Sequence, residues 1–268
     1  MTTPGPGKPD ETKVPDEVKV PDGVKVPDEV KVKVEVAERG ANGQTSNRRL
    51  FMQLQAFGGC SEPKALAAAL ERSRIDAALY ADLQDSRGVG VLTFAEDPVF
   101  LVTRVREVLA SEPFAGLVPK PELAMIGRTY SSGFEPDLED WLLARPRRTV
   151  LNPDWPWAVW YPLRRTGAFA KLSAQEQGAI LREHGTIGRA YGDADLAHDI
   201  RLACHDLDAH DNDFLIGLVG KELQPLSHLV HAMRKTVQTS QYMASLGPFF
   251  VGHAIWQSPP SPSQRPIR

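Results

Sequence analysis

Residues 173–192 read SAQEQGAILREHGTIGRAYG, and the interpretation of the whole chain turns on them. Ser173 followed three residues later by Glu176 is a capping box: the hydroxyl can accept from a free backbone N–H of the first turn while the carboxylate reaches back. A helix therefore starts here. Ile180, His184, Ile187 and Tyr191 follow at spacings of four, three and four, which places them on one stripe of a 3.6-residue helix. His184 is the polar member of an apolar face. Two readings fit that spacing, a core histidine with one hydrogen bond and a metal or heme ligand.

On either side of this helix, segments alternate between strand and helix patterns. Upstream lies WPWAVWYPLRR, 155–165, where 158–162 reads as a strand. Trp157, Val159, Tyr161 and Leu163 would share one face, with Arg164 and Arg165 at its end. An aromatic wall, a phenol and two guanidiniums suit a flat, partly apolar ligand bearing carboxylates, because arginine binds carboxylate in bidentate fashion. An aromatic core strand followed by solvated arginines fits equally. Downstream, 196–204 and 214–219 read as strands, 223–235 as a helix with Leu226, Leu229, Val230 and Met233 on one face, and 249–256 as a closing strand. The order is βαββαβ.

The first half shows the same order. Alternation in 50–57 gives a strand, PKALAAALERSR at 63–74 a helix with proline where a missing N–H costs least. Strands follow at 77–83 and 89–94, a helix at 97–110 and a strand at 123–130. Two βαββαβ units in succession predict an α+β fold of two tandem ferredoxin-like halves, antiparallel sheets with helices on one face, associated as a barrel-like domain. The predicted divisions are a disordered tail over 1–46, a first half over 47–134, a linker over 135–156, a second half over 157–257 and a disordered end over 258–268. Within the linker, EPDLEDWLLA reads as a short helix and the residues after it as a basic, proline-bearing loop. The tail carries KVPDEV, KVPDGV and KVPDEV in tandem from Lys13 to Val30; proline and charge in each unit oppose burial.

Composition narrows the function classes. The 268 residues carry a net charge of −3 with 24% charged residues, so nothing in the charge favours nucleic acid or an anionic membrane. No apolar run approaches the roughly 20 residues that span a bilayer, and the first residues lack the apolar core of a secretory signal. Cys60 and Cys204 are too few for a disulfide framework or zinc site, so a reducing cytoplasm is the expected setting. CHDLDAHDND, 204–213, superficially resembles a calcium loop. It has His210 and Asp211 where a further ligand and a glycine are required, and Gly217 where the bidentate acid belongs, so it reads as a polar turn. His228 and His231 fall at the edge of a solvated helix face. HExxH, P-loop, GxSxG and GxGxxG patterns are missing, which leaves a cofactor as the simplest route to chemistry.

YPLRR, then EHG twenty-three residues after Tyr161 and continuing as IGRAYG, then the strand start at 211–214, LVHAMRKTVQTSQY and GPFFVG together resemble the chlorite dismutase family, which includes coproheme decarboxylases. The likeness runs over roughly 48–257 and is most specific in the second half. It implies a tandem ferredoxin-like fold, a heme (heme b or coproheme) in the C-terminal half, hydrogen peroxide as co-substrate and a homopentameric ring. Residue by residue, His184 matches the proximal iron ligand, and Tyr161 the tyrosine that is oxidised and abstracts hydrogen from a propionate. Arg164 and Arg165 match basic residues that contact propionates. The partner of the proximal histidine is usually the glutamate of an E-x-S-x-Y pattern; here Gln238 opens the corresponding QTSQY. The arginine that holds chlorite, thirteen residues after the histidine, is replaced by Ala197, which disfavours chlorite conversion. Phe169 stands where many relatives have tryptophan. The resemblance implies a heme-dependent oxidoreductase, with peroxide-dependent decarboxylation of coproheme leading, and a divergent heme peroxidase-like enzyme or a non-catalytic heme carrier as alternatives.

Overall fold

The path of the chain follows from which strand faces are apolar on both sides and which carry glycine. A computed structural model of the protein describes residues 34–259; the KVPD repeats and 260–268 lie outside the described residues. Residues 37–259 form a single unit. In chain order its strands are β1 (Glu38–Arg39), β2 (Thr45–Ser46), β3 (Phe51–Gly58), β4 (Ala77–Asp82), β5 (Val89–Ala95), β6 (Val118–Pro119), β7 (Met125–Thr129), β8 (Trp157–Arg165), β9 (His198–Ala203), β10 (Phe214–Gly220), β11 (Met243–Leu246) and β12 (Phe250–Gln257). The helices are α1 (Pro63–Ser73), α2 (Arg106–Leu109, preceded by a wide turn over Leu101–Val105), α3 (Arg145–Val150, preceded by a wide turn over Asp140–Ala144), α4 (Gly167–Ala170), α5 (Ala174–Asp193), α6 (Leu223–Met233) and α7 (Val237–Tyr242).

Among the described residues every strand pair is antiparallel. The first half runs β7-β3-β5-β4 across its sheet and the second β12-β8-β10-β9, each the ferredoxin-like order. β4 joins β12 and β7 joins β9, so the two sheets close into a barrel of eight strands with no free edge among them. Short β6 and β11 add to β3 and β8 outside that ring.

Period-two alternation then sorts side chains between the barrel interior and the outer, helix-covered faces. Along β8, Ala158 and Trp160 enter the interior core with Leu54, Leu92 and Leu202, whereas Val159, Tyr161 and Leu163 join an outer cluster with Leu218, Leu226 and Leu229. Trp160 fits because its cross-strand neighbour on β10 is Gly217: a Cβ there would lie 2.4 Å from the indole ring. On the first half, Leu66 and Leu70 of α1 cover an equivalent outer cluster.

Two boundaries differ from the sequence expectation. Residues 38–46 form a hairpin rather than the end of a disordered tail, because Glu38 accepts from Arg128 at 3.0 Å and from the Ser131 amide at 2.9 Å, and Gln44 bonds to the carbonyl of Pro136 at 2.8 Å. The basic stretch after EPDLEDWLLA is helix α3 rather than a loop; Pro146 falls at its start, just after the wide turn, where a missing N–H is tolerated. Arg147 and Arg148 on it pair with Asp76 and Asp140.

Candidate functional site

Helix α5 begins as its capping box requires: the Ser173 hydroxyl accepts from the Glu176 amide at 3.3 Å and the Glu176 carboxylate accepts from the Ser173 amide at 2.9 Å. The hydrogen bonds from Ser173 hold the Glu176 carboxyl below its ordinary value. Ile180, His184, Ile187 and Tyr191 share its inward stripe, yet each is only half-buried and no residue of this 20-residue helix is fully buried. α5 packs on α6, α7 and β9. The neighbours of α5 thus cover its apolar stripe only in part.

His184 Nδ1 lies 3.2 Å from the Thr236 hydroxyl oxygen. Burial, with the Arg165 and Arg201 guanidiniums nearby, lowers its pKa to about 4, so the ring is neutral at pH 7. Thr236 is 1% exposed and caps α7 by accepting from the Thr239 amide at 3.4 Å. The partner of His184 is thus Thr236 and not Gln238, the position indicated by the QTSQY pattern. Gln238 is 4% exposed and its Oε1 has no hydrogen-bond partner. α7 is capped two residues before the pattern begins, and that cap is what reaches α5.

Tyr161 points to the same layer from β8. It is 7% exposed and its ring stacks on Phe249 at 4.7 Å. Burial and then the Asp199 carboxylate push its phenol pKa up, with Arg234 opposing. Cross-strand register puts Ile216 and Arg201 on this face beside Tyr161, and Leu218 and Asp199 beside Val159. Arg165 shares it. Its guanidinium sits 4.6 Å from the rings of both Phe169 and Phe214, and its buried Nε is unpartnered. Burial lowers the Arg165 pKa despite Tyr130 and Asp213 nearby. Arg164 does not join it: by alternation it faces the other way, where it pairs with Asp211 at 3.1 Å. Of the two arginines assigned to ligand carboxylates, the structure leaves only Arg165 at the site.

Ala197, the position counted thirteen residues after His184, comes just before β9. It is buried in the turn between α5 and β9, within the outer cluster that contains Leu226. Asp195 takes a left-handed conformation, φ 55°, and the residues consumed by this turn carry the following strand onward. The cation on this face of β9 is therefore Arg201. Its Nε bonds Asp199 at 3.0 Å, and Asp199 also takes Arg145 at 3.0 Å. Although burial opposes it, Arg201 and then Arg145 keep the Asp199 carboxyl below its ordinary value. The Trp141 ring lies against both guanidiniums, 4.5 Å from Arg145 and 5.1 Å from Arg201.

Sequence reasoning gave no role to Thr236, Arg234 or Phe249. A T-x-x-T cap at 236–239 was an available signal; the others depend on tertiary contacts. Outside this layer, His228 bonds the Tyr191 hydroxyl and is exposed. Asp208 ties its own loop, accepting from the His210 and Asn212 amides at 3.1 Å. Among the described residues, no group of three or more His, Cys, Asp and Glu side chains could hold a metal ion. The layer between α5 and the sheet suits a flat, largely apolar group with an anionic edge. Two buried polar atoms nearby, Arg165 Nε and Gln238 Oε1, have no hydrogen-bond partner.

The sequence profile of the family described as chlorite dismutase matches residues 101–255. Among curated proteins none matches the chain. Solved structures similar to it include a heme-binding protein from Thermus thermophilus, at 18% identity and TM-score 0.60, covering 77% of this chain and 91% of that one. A chlorite dismutase from Candidatus Nitrospira defluvii in complex with imidazole is similar at 14% identity and TM-score 0.60, covering 80% and 93%. Identities this low show a shared fold.

Proposed function

The chain belongs to the chlorite dismutase family, and from that membership and the geometry of its outer layer we propose that it binds an iron porphyrin between α5 and the sheet, with His184 as iron ligand, and decarboxylates coproheme with peroxide. The observation that carries the reading is the convergence of a neutral, half-buried imidazole, a buried phenol and an unpaired guanidinium on one face of the second half. The iron of the bound porphyrin supplies the reaction with peroxide. Arg165 holds a propionate carboxylate through its free N–H groups, and the Phe169 and Phe214 rings fix the plane of that guanidinium.

With such a porphyrin held there, Tyr161 would give up its phenolic hydrogen towards the reduction of peroxide to water and take one back from the propionate β-carbon. The propionate would then lose carbon dioxide and become a vinyl group. Each conversion removes two electrons from the propionate and reduces one peroxide to two waters. The stack on Phe249 keeps the Tyr161 ring in one orientation, and burial keeps its phenol protonated until oxidation. Chlorite is a poorer substrate here, because Arg201 is already engaged by Asp199 and an incoming anion would have to displace that carboxylate.

Heme carriage or peroxidase-like chemistry is the second reading, favoured by the neutral Thr236 partner of His184 in place of a carboxylate. One experiment separates them. The purified protein is titrated with coproheme and heme b in parallel and then given peroxide. Mass loss of carboxyl groups from coproheme, retained binding but no mass loss in Tyr161→Phe, and loss of the Soret complex in His184→Ala are the expected results. Coproheme that stays intact in the wild-type protein refutes the decarboxylase reading. Turnover of heme b with a reducing substrate would then favour a peroxidase, and saturable binding without turnover a carrier.

A further inference from the structure

His184 and its neighbour Glu183 both reach the start of α7. The Glu183 carboxylate accepts the Val237 amide at 3.0 Å, and the His184 ring meets Thr236 one residue earlier. Two adjacent side chains thus tie α5 to the same helix end, fifty-two residues or more away in the chain. The Thr236 hydroxyl has one hydrogen to give. Its shortest acceptor is the Met233 carbonyl at 2.8 Å, against 3.3 Å to the Thr239 hydroxyl. With the hydrogen directed there, the oxygen can only accept from His184. Nδ1 must then carry the ring proton, and Nε2 is left as a bare lone pair, the form that an imidazole needs in order to bind a metal.

We propose that the Thr236 hydroxyl is the positioning residue for His184, selecting the Nδ1–H tautomer through a neutral acceptor and thereby giving this chain a weakly basic iron ligand. The inference rests on the reading of His184 as the ligand. A carboxylate at this place would draw the Nδ1 proton toward itself and make the ring more basic; a hydroxyl that has already committed its hydrogen cannot. The consequence is a bound iron with a higher reduction potential than a carboxylate partner would set. Gln238, though buried nearby, contributes no hydrogen bond to the ring.

The variants are Thr236→Val, Thr236→Ser and Thr236→Asp. Serine and aspartate keep an N-cap acceptor for α7, and the Glu183 tie to Val237 persists in all three, so α7 keeps its place. In the iron-free protein, long-range proton–nitrogen NMR should find the His184 proton on Nδ1 in wild type and Thr236→Ser; a proton on Nε2 in wild type overturns the inference without recourse to heme. With heme b bound, Thr236→Val should weaken affinity about 10- to 100-fold, the range for losing a ligand's outer hydrogen bond, and Thr236→Ser should restore it. Thr236→Asp should lower the reduction potential of the bound heme. Unchanged affinity in Thr236→Val, or an unchanged potential in Thr236→Asp, refutes the role of Thr236. A heme spectrum identical in wild type and His184→Ala refutes the iron assignment itself, whatever the tautomer.

Discussion

Replacing Arg165 with leucine should separate ligand binding from folding. The guanidinium is flanked by Phe169 and Phe214, each 4.6 Å away, and two such contacts contribute about 1–2 kcal/mol in all. Against this stands the cost of a buried donor without a partner at Nε, about 1–3 kcal/mol. The two nearly offset each other, and leucine still packs its apolar stem between the rings. Unfolding free energy should therefore change by less than about 1 kcal/mol. A ligand carboxylate, in contrast, loses charge-assisted hydrogen bonding of about 1.5–3 kcal/mol, which is about 10- to 150-fold in affinity. The assay pairs urea denaturation of the iron-free protein with absorbance titrations of heme b and of its carboxyl-esterified form. The variant should bind the free acid more weakly and the ester as the wild type does. Equal weakening for both ligands, or a loss of binding that tracks a loss of stability beyond about 2 kcal/mol, would refute the assignment of Arg165 to a carboxylate.

Acidification should destabilise the iron-free protein through His184. Its pKa is depressed in the fold to about 4 from 6.5, so the unfolded chain takes up the proton first; the contribution is whole above pH 6.5 and is lost as pH falls toward 4. Thermal unfolding across that window should show a shallower decline in His184→Phe than in wild type. Gly217→Ala would force a Cβ to within 2.4 Å of the Trp160 indole inside a closed barrel, and overpacking of this kind costs about 1–3 kcal/mol, readable as a lower denaturation midpoint. Ser173→Ala removes one side of the capping box of α5 and should cost about 0.5–2 kcal/mol, with faster amide exchange confined to the first turn.

The direction in which Arg164 faces was legible in the sequence. Alternation along β8 already assigns Arg164 and Arg165 to opposite faces, and two adjacent strand residues cannot both serve one side of a sheet. The same rule correctly separates Trp160 from Tyr161. Ala197 illustrates a different difficulty. Counting thirteen residues from His184 assumes a fixed number of residues in the turn after α5, whereas the left-handed Asp195 and the start of β9 at His198 place Arg201 on the face beside Tyr161.

The features legible along the chain are local in origin: the order of strands and helices, the start of α5 at Ser173, the stripe that carries His184, and the repeat of βαββαβ. Periodicity and capping act within a few residues, so neighbouring side chains suffice to read them. Which strands close the two halves, β4 with β12 and β7 with β9, lies outside that range, as do the choice of Thr236 over Gln238 as the partner of His184 and the network of Arg145, Asp199, Arg201 and Trp141. These depend on which surfaces meet once the barrel closes. A hydrogen bond tolerates only a few tenths of an ångström, while residues fifty or more apart acquire that alignment from the whole packing of the barrel and its helices.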